Sequence, residues 1–332
     1  MTQSEFLQDL ATFLQEWQND EPTVWVHTSG STGKPKPMQV EKKRMEASAR
    51  LTCSFLGLKE GDSALLCMPL QYIAGKMVVV RSLVAGLRLI PMAPSGHPLK
   101  DLKEVPTFAA MIPMQVFNTL QVSEEKDKLK EIKHLIIGGG AIDDALASEL
   151  KDFPNQVWST YGMTETLSHI ALRRLNGTDA SDWYTPFDNV RIRLSEEGTL
   201  IIHAPNVCVE ELITNDIAEI NEKGKFRILG RKDNTINSGG VKIQIEQVEA
   251  TLKEHLDIPF QITARKDAKF GEIVVLIYNK VKDEATVRQV CEETLPPYWV
   301  PKAYIAVDEL PMTGTGKPDR ATARKIASLP VS

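Results

Sequence analysis

One glycine-rich stretch stands out near the start of the chain: His27-Thr28-Ser29-Gly30-Ser31-Thr32-Gly33-Lys34-Pro35-Lys36-Pro37. It places four hydroxyl side chains, two glycines and two lysines within eleven residues. Glycine lets backbone N–H groups turn toward a ligand, and lysine favours an anion there. The stretch therefore predicts a loop that binds a polyphosphate, with a flexible surface turn as the alternative interpretation.

The surroundings of this loop exclude the Walker type of phosphate loop. A Walker loop has Ser or Thr after its Gly-Lys pair and opens a helix. Here Gly33-Lys34 is followed by Pro35, and the loop lies between predicted strands over 23–26 and 38–40. Pro35 and Pro37 also forbid a helix directly after the loop. A different phosphate chemistry is required.

The composition bounds the remaining possibilities. A length of 332 residues with 42% hydrophobic residues predicts a globular protein of two domains. The net charge of −5 argues against a broad nucleic-acid surface, which is normally basic. The four cysteines are far apart, which argues against a zinc site and indicates reduced thiols in the cytoplasm. The start of the chain lacks a signal-peptide pattern, and three cations interrupt its most apolar stretch, 73–92, so no membrane span is expected.

The order of predicted elements indicates the fold class. Short apolar strands alternate with helices up to residue 160, which predicts an α/β domain with a largely parallel sheet. From Val190 the pattern changes to strands, and the last hundred residues mix strands and helices as a small α+β unit. We place the boundary between Lys232 and Asp233, which gives an N-terminal domain of residues 1–232 and a C-terminal domain of residues 233–332. In parallel sheets ligands collect at the carboxyl ends of strands, where Gly138-Gly139-Gly140 and Tyr161-Gly162 are predicted.

Five separated stretches together resemble the acyl-adenylate-forming (AMP-binding) superfamily, which includes acyl-CoA synthetases, luciferases and adenylation domains of peptide synthetases. In chain order they are Thr28-Ser-Gly-Ser-Thr-Gly-Lys-Pro-Lys36; Thr160-Tyr-Gly-Met-Thr-Glu165; Thr214-Asn-Asp216; Gly230-Arg-Lys-Asp233 with Ser238-Gly-Gly240 and Glu249; and Pro311-Met-Thr-Gly-Thr-Gly-Lys317-Pro-Asp-Arg320. Each stretch alone is weak evidence, but five in the order of the family are specific. The resemblance implies a large N-terminal domain and a small mobile C-terminal domain.

The resemblance also implies a role for each motif. Residues Thr28, Ser29, Gly30, Ser31, Thr32, Gly33, Lys34 and Lys36 would hold the β,γ-phosphates of ATP. Tyr161 and Gly162 would contact adenine, Thr164 the α-phosphate, Glu165 a Mg²⁺ ion, and Gly139, Gly140 and Ala141 the adenine or the acyl group. Asp216 and Arg231 would bind the ribose, Asp233 would be the hinge, and Ser238, Gly239 and Gly240 would line the path of the CoA thiol. Lys317 would be the catalytic lysine that bridges the carboxylate and the α-phosphate.

Structural alternatives exist for several of these residues. Glu165 at a helix start would stabilise the helix dipole, and Asp216 or Arg231 would be a surface ion-pair partner. Thr214-Asn215-Asp216 departs from the more common Thr-Gly-Asp of the family but keeps the acidic residue.

Two segments resemble a narrower group, the short bacterial o-succinylbenzoate–CoA ligases of the menaquinone pathway. They are Gln71-Tyr-Ile-Ala-Gly-Lys-Met77 and Tyr161-Gly-Met-Thr-Glu-Thr-Leu-Ser-His-Ile-Ala171. Tyr72 stands where the family usually has a histidine, and the acyl pocket is predicted to include Tyr72, Lys76, Ser168 and His169. Lys76, with His169 and Arg173 behind it, is the candidate counter-charge for a second carboxylate; an internal salt bridge is the alternative interpretation.

The predicted function is an AMP-forming ligase that uses ATP, Mg²⁺ and CoA. A small carboxylic acid attacks the α-phosphate and gives an acyl-adenylate, and the CoA thiol then displaces AMP. The acid could also be another aryl or fatty acid, and the acceptor a carrier protein. An alternative of another class is a catalytically silent protein that binds a nucleotide or an acyl group.

Overall fold

The computed structural model describes residues 1–27, 37–140, 142, 144–313 and 318–329. The first part of the chain forms α1 (Gln3–Gln18), β1 (Thr23–His27), β2 (Pro37–Glu41), α2 (Lys42–Leu56), β3 (Ser63–Leu66), α3 (Ile73–Ala85), β4 (Arg88–Pro91), β5 (Phe108–Met111), α4 (Pro113–Leu120), α5 (Ser123–Glu131), β6 (His134–Ile137), α6 (Asp144–Leu150), β7 (Gln156–Gly162), β8 (His169–Arg174) and β9 (Thr185–Pro186). The later part forms β10 (Arg191–Leu194), β11 (Thr199–His203), β12 (Leu212–Ile220), β13 (Phe226–Arg231), β14 (Thr235–Ser238), β15 (Val241–Gln244), α7 (Ile245–Lys253), β16 (Phe260–Asp267), β17 (Gly271–Asn279), α8 (Glu284–Thr294), β18 (Ala303–Val307) and α9 (Arg320–Ser328).

A seven-stranded sheet organises the N-terminal part, with the strand order β4-β3-β5-β6-β7-β8-β9. The strands from β4 to β7 pair in parallel, whereas β8 and β9 pair antiparallel. All four residues of β3, β5 and β6 are buried, as expected for strands covered on both faces. The predicted α/β class with a largely parallel sheet is confirmed.

The segments around the glycine-rich stretch also follow the sequence pattern. Helix α1 begins with a capping box, in which Thr2 and Glu5 satisfy each other's backbone N–H groups, and it buries Phe6, Leu10 and Phe13. Strands β1 and β2 pair antiparallel from Thr23–Glu41 to His27–Pro37. The predicted pair of strands flanking the loop is therefore present, while residues 28–36 themselves lie outside the described part of the chain.

Contacts divide the chain into two units. The first contains Met1–Arg193, Ile201–Leu212 and Ile220–Arg227, and the second contains Leu194–Leu200, Ile213–Glu219 and Ile228–Ser332. A four-stranded sheet, ordered β10-β11-β12-β13, supplies residues to both units. The boundary between Lys232 and Asp233, and the mobility of the C-terminal domain, stay predictions.

The second unit is built on a five-stranded sheet. Its path is β15-β14-β17-β16, and β18 pairs in parallel with β17. Helices α7 and α8 cover a core that includes Ile243, Val248, Leu276 and Val287, all of which are completely buried. This arrangement agrees with the α+β pattern expected for the last hundred residues.

Several elements differ from the sequence expectation. The structure adds helix α4, strand β8, the long strand β12 and the hairpin β14–β15, none of which the periodicity indicated. The charged run that begins at Ser123 forms the helix α5. Among the described residues, no helix has the length and apolar character needed to cross a membrane.

Candidate active site

The end of strand β7 carries the predicted adenine and metal segment. A Cβ atom on Gly162 would lie 2.3 Å from the carbonyl oxygen of Ser168 and 2.4 Å from the Cα of His169. Because real Cβ contacts are never this short, glycine is required where β7 and the start of β8 meet. Tyr161-Gly162 and Ser168-His169 are thus brought together, although five residues lie between Gly162 and Ser168 in sequence.

The turn between β7 and β8 is stabilised by a residue that the sequence analysis did not single out. Thr164–Thr166 form one 3-10 turn, and the buried Thr166 hydroxyl accepts from the N–H of Met163 at 3.0 Å. The same hydroxyl donates to the carbonyl of Ser168 at 2.7 Å. The turn ends at the buried Leu167, whose φ of 66° is unusual for a residue with a side chain. Thr166 therefore fixes the turn and leaves Thr164 and Glu165 for other contacts.

The exposed carboxylate of Glu165 fits the predicted metal ligand. No ion pair or hydrogen bond engages this carboxylate within the described part of the chain, and none engages the hydroxyl of Thr164. Mg²⁺ prefers oxygen ligands and commonly takes one or two carboxylates together with substrate phosphates. Across the described residues no group of three or more His, Cys, Asp or Glu side chains forms a metal cage. These residues are therefore compatible with a Mg²⁺ ion that is held partly by a protein carboxylate and partly by the phosphates of a substrate.

The Tyr161 ring belongs to a small aromatic cluster. Its centroid lies 5.0 Å from that of Phe226 in an edge-on arrangement and 5.8 Å from that of Tyr184. The Tyr184 hydroxyl lies 2.9 Å from that of Ser159 on β7. These contacts hold Tyr161 at the end of its strand, and its stacking on adenine stays a prediction.

The triple-glycine run lies beside this segment. Strands β6 and β7 are parallel neighbours, with Ile137 opposite Ser159, so their carboxyl ends meet at one edge of the sheet. Gly139 has a φ of +79°, which favours glycine. The structure thus brings Gly139 and Gly140 to the same edge as Tyr161 and Gly162, while Ala141 lies outside the described residues.

The predicted ribose pair is present in the second unit. The Arg231 Nη1 donates to Asp216 Oδ1 at 3.0 Å, and Asp216 is 9% exposed. The Nε and Nη2 atoms of Arg231 donate to the two carboxylate oxygens of Asp233 at 2.9 and 3.0 Å. The hydrogen bonds from Arg231 to Asp233, together with the charge of Asp216, raise the pKa of Arg231. One guanidinium therefore links the predicted ribose acid to the predicted hinge residue.

Ser238, Gly239 and Gly240 form the turn of the hairpin β14–β15. Ser238 pairs with Val241, and the two glycines between them have φ values of 59° and 86°. Positive φ at both central positions is the pattern of a type I′ turn. The Gly239 N–H donates to the Phe270 carbonyl at 2.8 Å. The role of this turn in guiding the CoA thiol stays a prediction.

Lys76 has its partners inside the protein. Its ammonium donates to Glu16 Oε2 at 3.3 Å and to the carbonyl of Trp25 at 2.6 Å, and it lies 4.8 Å from the Phe13 ring centroid. These contacts match the internal salt bridge that was the alternative interpretation. The structure therefore gives no support to Lys76 as a counter-charge for a substrate.

The other residues predicted for the acyl pocket have different surroundings in the structure. Tyr72 precedes α3 and forms a bridge with His27, next to the glycine-rich stretch. Arg173, instead of standing behind Lys76, pairs with Asp182 at 3.2 Å. Ser168 and His169 do come together with a cation, but that cation is Arg81, whose Nη2 donates to Ser168 Oγ at 2.6 Å.

Lys317 lies outside the described residues, but the segments on both sides of it are anchored. Met312 and Pro318 form an antiparallel bridge, and the Gln261 amide donates to the carbonyl of Pro311 at 2.9 Å. The Asp319 side chain caps α9 by accepting from the N–H of Thr322. The described residues that flank this segment, Met312 and Pro318, are therefore held in place within the second unit.

Two family models match the chain. The model described as AMP-binding enzyme matches residues 3–207, and the model described as AMP-binding enzyme C-terminal domain matches residues 247–317. The chain therefore belongs to the family of AMP-binding enzymes, as the five motifs predicted. A solved relative with 33% identity, the AMP-forming acyl-CoA synthetase/AMP-acid ligase II-like protein of Dyadobacter fermentans, is matched over 96% of this chain and 93% of its own, with a TM-score of 0.67.

Curated and solved relatives point to a narrower group. A 2-succinylbenzoate–CoA ligase of Bacillus mycoides is 26% identical over 94% of this chain and 72% of the relative. The o-succinylbenzoate CoA synthetase (MenE) of Bacillus subtilis, solved with the acyl-adenylate intermediate, is 23% identical with a TM-score of 0.75, covering 90% of this chain and 68% of its own. At this identity the structural likeness supports the fold, which agrees with the α/β architecture described above.

Proposed function

We propose that this protein is an ATP-dependent ligase that joins 2-succinylbenzoate to CoA through an acyl-adenylate. The observation that carries the proposal is the match to 2-succinylbenzoate–CoA ligases over 94% of the chain. The arrangement at the ends of β6 and β7 supports it, because the glycine run and the Tyr161–Glu165 segment lie side by side. The name of a B. subtilis relative describes a complex with ATP and a magnesium ion, and ATP, Mg²⁺ and CoA are accordingly the proposed reactants and cofactor.

In the proposed first step the substrate carboxylate attacks the α-phosphate of ATP, and pyrophosphate leaves. A bound Mg²⁺ would supply charge neutralisation on the phosphates, with Glu165 as its protein ligand. Thr164 contacts the α-phosphate, the glycine-rich stretch holds the departing phosphates, and Asp216 accepts hydrogen bonds from the ribose hydroxyls. Lys317 orients the attacking carboxylate and offsets the negative charge that develops.

In the proposed second step the CoA thiol attacks the acyl carbonyl and AMP leaves. The Ser238–Gly240 turn lines the thiol path, and Asp233 is the hinge about which the C-terminal domain turns between the steps. A cytoplasmic location and the absence of a nucleic-acid partner remain parts of this proposal.

The test is CoA-thioester formation with 2-succinylbenzoate, benzoate and a medium-chain fatty acid. We expect the highest kcat/KM for 2-succinylbenzoate. An equal or lower value would refute this substrate and leave an AMP-forming ligase for another acid or for a carrier protein. ATP binding by calorimetry without pyrophosphate exchange for any acid would instead indicate a silent nucleotide-binding protein.

A separate experiment tests the role of Lys317. Pyrophosphate–ATP exchange should fall strongly in Lys317→Ala, whereas conversion of supplied acyl-adenylate to thioester should be retained. Exchange at the wild-type rate would refute the assignment of Lys317 to the first step.

A further inference from the structure

Gln115 is a buried amide on helix α4 that hydrogen-bonds to three separate loops of the first unit. It is 4% exposed. Its Oε1 accepts from the N–H of Ile112 at 3.2 Å, and its Nε2 donates to the carbonyl oxygens of Cys67 at 3.2 Å and of Ser95 at 3.0 Å. Because an N–H can only donate and a carbonyl can only accept, these partners fix which end of the amide is the oxygen. Both amide protons of Gln115 are therefore engaged with the backbone of other segments.

Each of the three partners follows a strand of the parallel sheet. Cys67 comes directly after β3, Ile112 comes directly after β5, and Ser95 stands four residues beyond the end of β4. Strands β4, β3 and β5 are parallel neighbours, so their carboxyl ends lie at the same edge as those of β6 and β7. Gln115 therefore joins three loops at the edge of the sheet that carries the candidate active site.

Two of these loops lead directly into the predicted site. The side chain of Ile112 lies against Gly139, because a Cβ on that glycine would be 3.4 Å from Cγ2 of Ile112. The loop after β3 ends at Tyr72, which forms a bridge with His27 beside the glycine-rich stretch. The hydrogen bonds of Gln115 thus act on segments that flank the site from two sides.

Capping of α4 explains only one of the three bonds. A glutamine in the first turn of a helix commonly accepts from the N–H of the residue before the helix, as Oε1 does here with Ile112. The bonds donated to Cys67 and Ser95 do nothing for the helix end. Cys67 is completely buried, so its carbonyl would lose this donor at a cost if the amide were removed. The amide group of Gln115 therefore serves the loops as well as the helix.

We propose that Gln115 is a positioning residue for the acyl side of the active site. It acts through the loops after β3, β4 and β5, which it holds in one arrangement, and it does not itself touch a substrate. A small displacement of groups that position a substrate lowers the rate strongly. Asp216 and the glycine-rich stretch, which are proposed to hold ATP, belong to other segments. The inference rests on the proposed function, because it assigns the acyl acid to this part of the sheet edge.

The experiment separates the binding of the acid from the binding of ATP. Gln115→Met keeps the length of the side chain and removes all three bonds. Pyrophosphate exchange is measured with the acid varied at saturating ATP and then with ATP varied at saturating acid. We expect the KM for the acid to rise about tenfold or more, while the KM for ATP stays within about threefold of the wild-type value.

A second variant of the same residue keeps the test decisive if the methionine variant fails to fold. Gln115→Glu keeps the shape of the side chain and an oxygen that accepts from Ile112, but it has no amide protons for Cys67 and Ser95. It should raise the KM for the acid in the same direction, because the two loops lose the donors that join them.

Asn155 offers a matched control at the opposite edge of the sheet. It directly precedes β7 and is 8% exposed, and its Nδ2 donates to the carbonyl oxygens of Leu129 and Ile132 at 2.8 and 2.7 Å. Asn155→Leu therefore also removes buried amide hydrogen bonds that hold backbone segments together. Urea unfolding should show a loss of stability, whereas the KM for the acid should stay at the wild-type value.

The outcomes distinguish this inference from the proposed function. The acid used is the one with the highest kcat/KM in the substrate comparison, so a substrate other than 2-succinylbenzoate refutes the proposed substrate and leaves the test of Gln115 valid. A KM for that acid within about threefold of wild type in the folded Gln115 variants would overturn the inference, and so would equal rises for the acid and ATP. A rise in Asn155→Leu as large as in Gln115→Met would also overturn it. A wild type that turns over no acid would overturn both proposals.

Discussion

Glu249 and Arg320 form an ion pair next to the segment that contains Lys317. The Nη1 and Nη2 atoms of Arg320 donate to the two oxygens of Glu249, both at 2.6 Å. Both residues also bond the backbone of Ile262: Arg320 donates to its carbonyl at 3.1 Å, and Glu249 accepts from its N–H at 2.8 Å. Burial tends to lower the pKa of Arg320, but the hydrogen bonds and charge of Glu249 outweigh it and raise that pKa. The pair therefore joins the start of α9 to α7 and β16.

The cost of breaking this pair can be bracketed from its exposure. The side chains of Arg320 and Glu249 are 26% and 14% exposed, so the pair is neither fully exposed nor fully buried. A surface ion pair contributes up to about 1 kcal/mol to stability, whereas breaking a buried pair costs about 3–5 kcal/mol. We expect Glu249→Ala to lower the free energy of unfolding of the second unit by about 2–3 kcal/mol. Urea unfolding followed by far-UV circular dichroism measures this free energy. The fluorescence of Trp299, which lies in the second unit, provides a second signal.

The double mutant and a surface pair provide the controls. Glu249→Ala/Arg320→Ala should cost at least about 1 kcal/mol less than the sum of the single variants, because each partner alone is left without its counter-charge. Arg288→Ala removes an exposed pair with Glu284 in the same unit and should cost less than about 1 kcal/mol. An additive double mutant would refute the assigned coupling.

The same variant should affect one half-reaction. Arg320 follows Lys317 by three residues, so a loosened start of α9 weakens the placement of the lysine. We expect Glu249→Ala to lower pyrophosphate exchange by about tenfold while conversion of supplied acyl-adenylate stays near the wild-type rate. Equal losses in the two half-reactions would show that the pair acts on overall stability alone.

Three further predictions concern the candidate active site. Because burial and the charge of Arg81 lower the pKa of His169 in the folded state, the unfolded state binds the proton first. The stability that depends on neutral His169 is thus fully present above about pH 6.5. Below that pH the free energy of unfolding falls by up to about 1.4 kcal/mol per pH unit. His169→Gln should flatten this part of the curve of unfolding free energy against pH, as measured by urea unfolding. Gly162→Ala should lower the melting temperature and abolish pyrophosphate exchange, because its Cβ would collide with the carbonyl of Ser168. Asp216→Asn should raise the KM for ATP about 10- to 100-fold with a smaller change in kcat, and an unchanged KM in steady-state kinetics would refute its role at the ribose.

Sequence patterns predicted the parallel sheet and the order of the motifs because both are local signals. The hydrophobic runs of β3, β5 and β6 are continuous, and each ends near a turn residue. The hairpin β14–β15 had a usable signal, since Gly239-Gly240 separates two short segments with apolar Ile236 and Ile243. Strand β12 had none of comparable strength, because Asp216 and neighbouring polar residues interrupt its pattern. The sequence therefore identified Asp216 by motif and did not place it on a strand.

The two cations of α3 show what sequence alone does not determine. Lys76 and Arg81 are five residues apart, so they point about 140° away from each other around the helix. Lys76 faces α1 and forms an ion pair with Glu16, which lies sixty residues away in sequence. Arg81 faces the start of β8 and donates a hydrogen bond to the neutral hydroxyl of Ser168. Both are buried and both stand in an apolar helix, so composition gave no way to decide which cation had an internal partner.

This difference leads to opposite expectations for stability. Lys76→Met leaves the Trp25 carbonyl without its donor and Glu16 without its counter-charge, and it should cost about 1–3 kcal/mol of unfolding free energy. Arg81→Met replaces an unpaired buried charge by an apolar chain, and the relief of desolvation should offset the lost bond to Ser168. Its free energy of unfolding should then equal or exceed that of the wild type. Urea unfolding of the substrate-free variants compares them directly. A loss of more than about 2 kcal/mol in Arg81→Met would show that the fold itself needs the guanidinium.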